Sequence, residues 1–244
     1  MLRVNSLLIF VILVLASGCS RPTGTERITA HKETPDERLS AMLAKRPKIV
    51  IDAGHGGKDL GALSKSTPVY QEKALNLTTA LMLNSFLQKM GYQTILTRGD
   101  DFFVPLDLRA AIANSNNAAL FVSVHYNSAP SPKAEGVEVY YYNSEDDKER
   151  SDASKALAGG VLERIVESTD CKSRGVKHGN FAVIRETTMP AILIEGGFVT
   201  NQNEILKLRS PGYLKTLAGS IALGINDYLK GKGQKAEGKV NVKG

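Results

Sequence analysis

His55, His125 and Glu195 are the residues of this 244-residue chain whose placement suggests chemistry. Each stands where an apolar run ends: Lys48-Ile49-Val50-Ile51-Asp52-Ala53-Gly54 before His55, Ala119–Val124 before His125, and Ala191-Ile192-Leu193-Ile194 before Glu195. Runs this short and this rich in β-branched residues read as buried strands. In an open α/β sheet, ligands bind just beyond the strand ends. Three such strands, adjacent and parallel, would therefore gather two imidazoles and a carboxylate on one rim. Glu72 is the fourth candidate. It lies in the first turn of a helix that follows the glycine-rich His55 loop, and on position alone a favourable charge against the helix dipole explains it as well. Its closeness to that loop is what brings it into the set.

Two imidazoles and one carboxylate are the ligands of an open catalytic zinc site. A second, uncoordinated carboxylate nearby would move a proton from water to a leaving group. His55, Glu72 and His125 supply the first set, and Glu195 the second. The sequence has no His-Glu-x-x-His and no Gly-x-Ser-x-Gly, which argues against a zincin and against a Ser-His-Asp hydrolase.

The elements that must position these groups follow from periodicity. Ala80, Leu83, Leu87 and Met90 recur at helical spacing until Gly91. Tyr92–Arg98 reads as a strand, and a helix over Leu106–Asn116 precedes the His125 strand. Gly136–Tyr142 alternates like an edge strand with one wet face. A helix carrying Leu157, Val161 and Ile165 follows, then Phe181–Arg185 and Ala191–Ile194 as a pair of short strands. A last helix presents Leu214, Leu217, Ala218, Ile221, Ile225 and Tyr228 on one stripe.

With 42% apolar content, the chain can bury one sizeable core, placed at residues 47–229. The net charge of +6 is carried by the flanks: residues 1–46 hold +3 and 230–244 hold +4, leaving −1 on the core. A globular part that is neutral overall is poor evidence for a phosphate-binding face, so nucleic acid is not expected as a partner. Residues 1–19 read as a signal peptide, with Arg3 ahead of about ten apolar residues that are too few to span a bilayer of ~30 Å. Its ending, Leu15-Ala16-Ser17-Gly18-Cys19, is similar to a bacterial lipoprotein signal, in which the cysteine is acylated, although Ala16 stands where leucine is preferred. Cys171 would then lack a partner, so no internal disulfide is expected. Residues 20–46 form a polar tether reaching at most ~90 Å, with a short helix expected from Thr34 to Lys45. Residues 230–244 read as a disordered basic tail. The expected location is periplasmic and membrane-anchored, with Ser20 favouring the outer membrane.

Four segments, in order, resemble the zinc-dependent N-acetylmuramoyl-L-alanine amidases of bacterial cell walls: Ile-Asp-Ala-Gly-His55-Gly-Gly, Gln71-Glu72-Lys, Ser-Val-His125-Tyr-Asn127, and Pro190-Ala-Ile-Leu-Ile-Glu195-Gly-Gly-Phe198-Val-Thr-Asn201. The resemblance spans about Lys48 to Leu229. It implies a single α/β domain built on a mixed sheet of about six strands with helices on both faces. It implies zinc on His55, Glu72 and His125, and Glu195 as catalytic acid/base. The substrate it implies is peptidoglycan, cut between the lactyl group of N-acetylmuramic acid and L-alanine. On that footing Asn127 would hydrogen-bond substrate or orient His125, and Arg185 would meet a stem-peptide carboxylate or serve in a structural ion pair.

Some relatives carry a long insertion, with a helix that plugs the site, between the second histidine and the glutamate. Only 69 residues lie there in this chain, so no plug is expected. His31 falls in the tether, and His178 in a loop near the site, where contact with substrate or with nothing is preferred over a third imidazole ligand. A monomer is expected. Another zinc hydrolase of the wall (a stem-peptide carboxypeptidase or a deacetylase) and a non-catalytic wall-binding lipoprotein remain as other readings.

Overall fold

The structure, a computed structural model, describes residues 34, 36 and 46–240, with side-chain surroundings through residue 231. The signal peptide, Cys19, His31 and all but isolated residues of the tether lie outside that range. Among the described residues no helix is long and apolar enough to cross a membrane.

Six strands form one sheet in the order β2-β1-β3-β6-β4-β5. They are β1 (Lys48–Ala53), β2 (Gln93–Leu96), β3 (Leu120–Asn127), β4 (Val137–Tyr141), β5 (Ser173–His178) and β6 (Ala191–Phe198). The first four in that order run parallel, β4 lies antiparallel to β6, and β5 parallel to β4. The three central strands are apolar almost throughout because both faces are covered. Ile49, Ile51, Val122, Ile192 and Ile194 join a large core with α1 (Glu72–Lys89), α3 (Lys148–Thr169) and α6 (Pro211–Val240). On the opposite face, Val50, Phe121 and Leu193 pack with residues of α2 (Leu106–Ser115) and α4 (Ala182–Arg185). A short α5 (Gln202–Leu208) is capped by the Asn201 side chain, which accepts from the backbone N–H groups of Asn203 and Glu204.

Four expectations are corrected. Strand β4 is interior rather than an edge, because β5 pairs along its other side. His178, expected in a loop, ends strand β5: Ser173–His178 contains one large apolar residue and a glycine, so it carries almost no strand signal. Phe181–Arg185 is a turn of helix instead of a strand. Its short apolar run fits either form, and β4 already occupies the free side of β6. The last helix continues past Leu229 to Val240, through residues that include the good helix formers Lys, Gln, Ala and Glu.

The end of β1 is held by buried charge. Arg109 of α2 is 2% exposed and donates to Asp52 Oδ1 (2.7 Å), the Ala53 carbonyl (2.7 Å) and the His55 carbonyl (2.8 Å). Arg98, 1% exposed, donates to the Ala53 and Gly54 carbonyls at 2.8 Å each. Asp52 also accepts from Thr97 and Ser123. Removing one partner of a buried pair strands the other in a low-dielectric interior, so Arg109→Met is expected to lower the unfolding free energy by about 3–5 kcal/mol. Urea unfolding checks this. A loss below ~1 kcal/mol would mean that the pair does not hold the strand end.

Candidate active site

Strands β1, β3 and β6 end on one rim, and in the register of the sheet His125 pairs directly with Glu195. His55 lies two residues beyond β1 with φ 59°, a left-handed conformation held in place by the guanidinium contacts to three consecutive carbonyls, Ala53 to His55. Glu72 is the first residue of α1 and is 4% exposed. Two glycines make the approach of these groups possible. A Cβ at Gly54 would lie 2.2 Å from the His125 ring, and one at Gly61 would lie 2.6 Å from Glu72 Oε2 and 2.7 Å from His55 Cδ2.

The result is a tight group of donors. Glu72 Oε1 lies 2.9 Å from His125 Nδ1 and 3.1 Å from His55 Nε2. One ligand atom from each of the three residues falls within 4.8 Å of the others. The second oxygen of Glu72 accepts from the Ala62 N–H at 2.8 Å, which fixes the carboxylate plane. Asp59 Oδ2 meets His55 Nδ1 at 2.8 Å, a carboxylate behind an imidazole of the kind that sets the tautomer of metal-binding histidines. Sequence reading missed Asp59, although a position four residues past His55 in the same loop is a cue. Two imidazole nitrogens and a carboxylate oxygen suit a first-row divalent cation.

Electrostatics agree with a cation-binding group. Burial would raise the Glu72 carboxyl, but hydrogen bonds from His125 and His55 hold it far below the usual carboxylate range. Burial works against charging His55, yet Glu72 and then Asp59 raise its pKa to about 9. Glu195 shifts the other way: burial, then the Glu72 and Glu138 carboxylates, push it well above its ordinary value. Its Oε2 is buried without a hydrogen-bond partner among the described residues, which leaves it open to a ligand in the cavity.

These side chains line a cavity of about 500 Å³ whose other walls include Phe103, Leu106, Phe181 and Val183. Asn127 also lines it, but its amide nitrogen donates to Glu138 Oε1 (2.7 Å), not to His125. Arg185 does not line this cavity. Its guanidinium is engaged by Asn180 and Glu186 in a neighbouring depression that shares Phe103, Leu106 and Ala182. His178 closes β5, paired with Tyr141, toward the opposite rim of the sheet, because β4 and β5 run against β6. Of the described residues between His125 and Glu195, those that reach the cavity belong to the end of β3, to α4 with the adjacent Phe181, and to β6 at Leu193, and they form its walls.

The sequence profile of the N-acetylmuramoyl-L-alanine amidase family matches residues 49–227. A protein of Bacillus subtilis, YqiI, described as uncharacterized, is 37% identical over 180 residues, 74% of this chain and 84% of that one. The N-acetylmuramoyl-L-alanine amidase AmiC of Neisseria meningitidis is 31% identical over 76% of this chain, which spans about half of AmiC (53%). A crystal structure of an N-acetylmuramoyl-L-alanine amidase from Clostridium difficile 630 superposes with a TM-score of 0.72 at 39% identity, covering 76% of this chain and 97% of that one.

At pH 7, below the His55 value of about 9, the metal-free site holds a proton that a cation must displace. Calorimetric titration of the metal-free protein with Zn2+ in buffers of different ionisation enthalpy should show about one proton released per ion. Affinity should weaken as pH is lowered below about 9. Heats that do not depend on the buffer would contradict this picture.

Proposed function

The chain belongs to the N-acetylmuramoyl-L-alanine amidase family, and on that premise we propose that it hydrolyses peptidoglycan between the lactyl group of N-acetylmuramic acid and the L-alanine of the stem peptide. The observation that carries this reading is a buried, unpartnered Glu195 oxygen in the same cavity as a convergent His55–Glu72–His125 group. His55, Glu72 and His125 would hold zinc. When bound, zinc supplies a Lewis acid for the amide carbonyl and brings the pKa of a water near about 7.

The chain's own residues supply the rest. Glu195 as carboxylate takes the proton of the attacking water. As carboxylic acid it returns that proton to the alanine nitrogen while the C–N bond breaks. Burial favours its neutral form, so the proton is kept until the amine leaves. Asp59 holds the His55 ring with Nε2 toward Glu72, and the buried arginines fix the loop that carries it. Phe103, Leu106, Phe181 and Val183 limit water beside the reacting amide. The Cys19 motif supports an exported, periplasmic lipoprotein tethered to a membrane, the outer one by the Ser20 cue, and the short stretch between His125 and Glu195 supports action without an activator.

Purified protein with zinc and no added partner should release from peptidoglycan peptides that begin with L-alanine, seen by mass spectrometry. A chelator should stop the reaction, and Glu195→Gln should lower turnover at least ~10³-fold. In cells the protein should sediment with membranes unless Cys19 is replaced by serine. Fragments ending in deacetylated sugars or in shortened stems would assign a different hydrolase, and an absolute need for an activator would refute the open site. Membrane sedimentation of the serine variant would refute the lipid anchor.

A further inference from the structure

We propose that Arg174 and Lys177 of β5 form a subsite for a carboxylate carried by the second or third residue of the stem peptide. This inference rests on the amidase reading and adds a specificity element to it. Its core is Glu138 of β4, 2% exposed and paired in register directly with Glu195. Four donors converge on Glu138. Oε1 accepts from Asn127 Nδ2 (2.7 Å) and Tyr140 Oη (2.8 Å), and Oε2 accepts from Arg174 Nε (2.8 Å) and Lys177 Nζ. One carboxylate thus faces two cations, and one positive charge is left over. The Arg174 and Lys177 side chains are 33% and 38% exposed, so they can meet solute as well as Glu138. Of the other nearby acids, Glu135 already faces Lys172 at 3.6 Å, and Glu195 is not an ion-pair partner of Arg174 or Lys177.

The backbone is shaped for this pairing. Residues three apart on a regular strand point to opposite faces. In β5, however, Ser173 pairs with Val137 and Val176 with Val139, so three steps on one strand match two on the other, and Gly175 within that stretch takes φ 87°. The extra residue is a bulge, and it turns Arg174 and Lys177 toward the same carboxylate. Neutralising Glu138 needs one cation. A bulge that recruits a second, on an edge strand beside the cavity wall formed by Asn127, points to a ligand of negative charge.

Reach is consistent with a peptide. Strands stand ~4.8 Å apart, so β5 is roughly 10 Å from β6, the strand of Glu195. An extended peptide advances ~3.3–3.6 Å per residue, and a carboxylate on the second or third residue falls at that range.

The test compares kcat/KM of the zinc-loaded protein on two muramoyl tripeptides that differ only in whether the carboxylates beyond the alanine are free or amidated. A charge-assisted contact predicts a preference of about ten- to hundredfold for the free acid, expressed mainly in KM. In Arg174→Gln and Lys177→Gln the preference should fall toward one, and Lys177→Arg should keep most of it. A wild-type ratio of one, or variants that keep the wild-type ratio while slowing both substrates alike, would overturn the subsite and leave the amidase reading standing. If neither tripeptide is cut at the lactyl–alanine bond, both fall together.

Discussion

A single oxygen, Glu72 Oε1, within hydrogen-bond distance of two imidazoles contributed by distant parts of the chain, is the contact on which the site depends. Without a cation or protons, the two ring nitrogens and the carboxylate oxygen have no reason to converge so closely. Charge meets that need, with His55 raised and Glu72 lowered. The same pull that favours a proton on His55 would favour a metal ion in its place. For Glu195, burial and then the Glu72 and Glu138 carboxylates outweigh the opposing charge of His55, and its carboxyl shifts the other way. Carboxylates pushed in opposite directions within one cavity are suited to different work, which under the proposed function would be ligation for Glu72 and proton transfer for Glu195.

The scaffold supplies the precision. His125 and Glu195 are placed by strand register, the most rigid device available, because a slip of one residue would turn both side chains to the other face. His55 sits on a loop, which is less rigid, and here buried guanidinium groups take over from the ladder by binding the carbonyls of Ala53, Gly54 and His55. Gly54 and Gly61 leave room that any side chain would fill. Farther along the rim, Glu138 lies opposite Glu195, holds two cations and links the edge of the sheet to the cavity through Asn127.

Much of this was legible in the sequence, for physical reasons. Strands buried on both faces write themselves as apolar runs, so β1, β3 and β6 and the residues at their ends stand out, and with them His55, His125 and Glu195. Glu72 was harder, since an acid at a helix start has a plain alternative, and only the packing of α1 against the strand ends settles its direction. Side chains that act through others left little trace. Asp59, Arg98 and Arg109 work by contacts across 4, 45 and 54–57 positions of the chain. Edge strand β5 was invisible because its pairing partner, not its own composition, makes it a strand, and the helical turn at α4 was mistaken because four apolar residues fit either form. Arg185 takes the structural alternative, an ion pair with Glu186 in the depression beside the cavity.

The central claim is that His55, Glu72 and His125 bind one divalent ion together. X-ray absorption at the zinc edge on the purified protein tests it most directly. The account predicts one zinc per chain in a shell of nitrogen and oxygen donors with two imidazoles, and its loss in Glu72→Ala. A protein that holds no zinc, or one whose zinc shell is unchanged by that substitution, would contradict it.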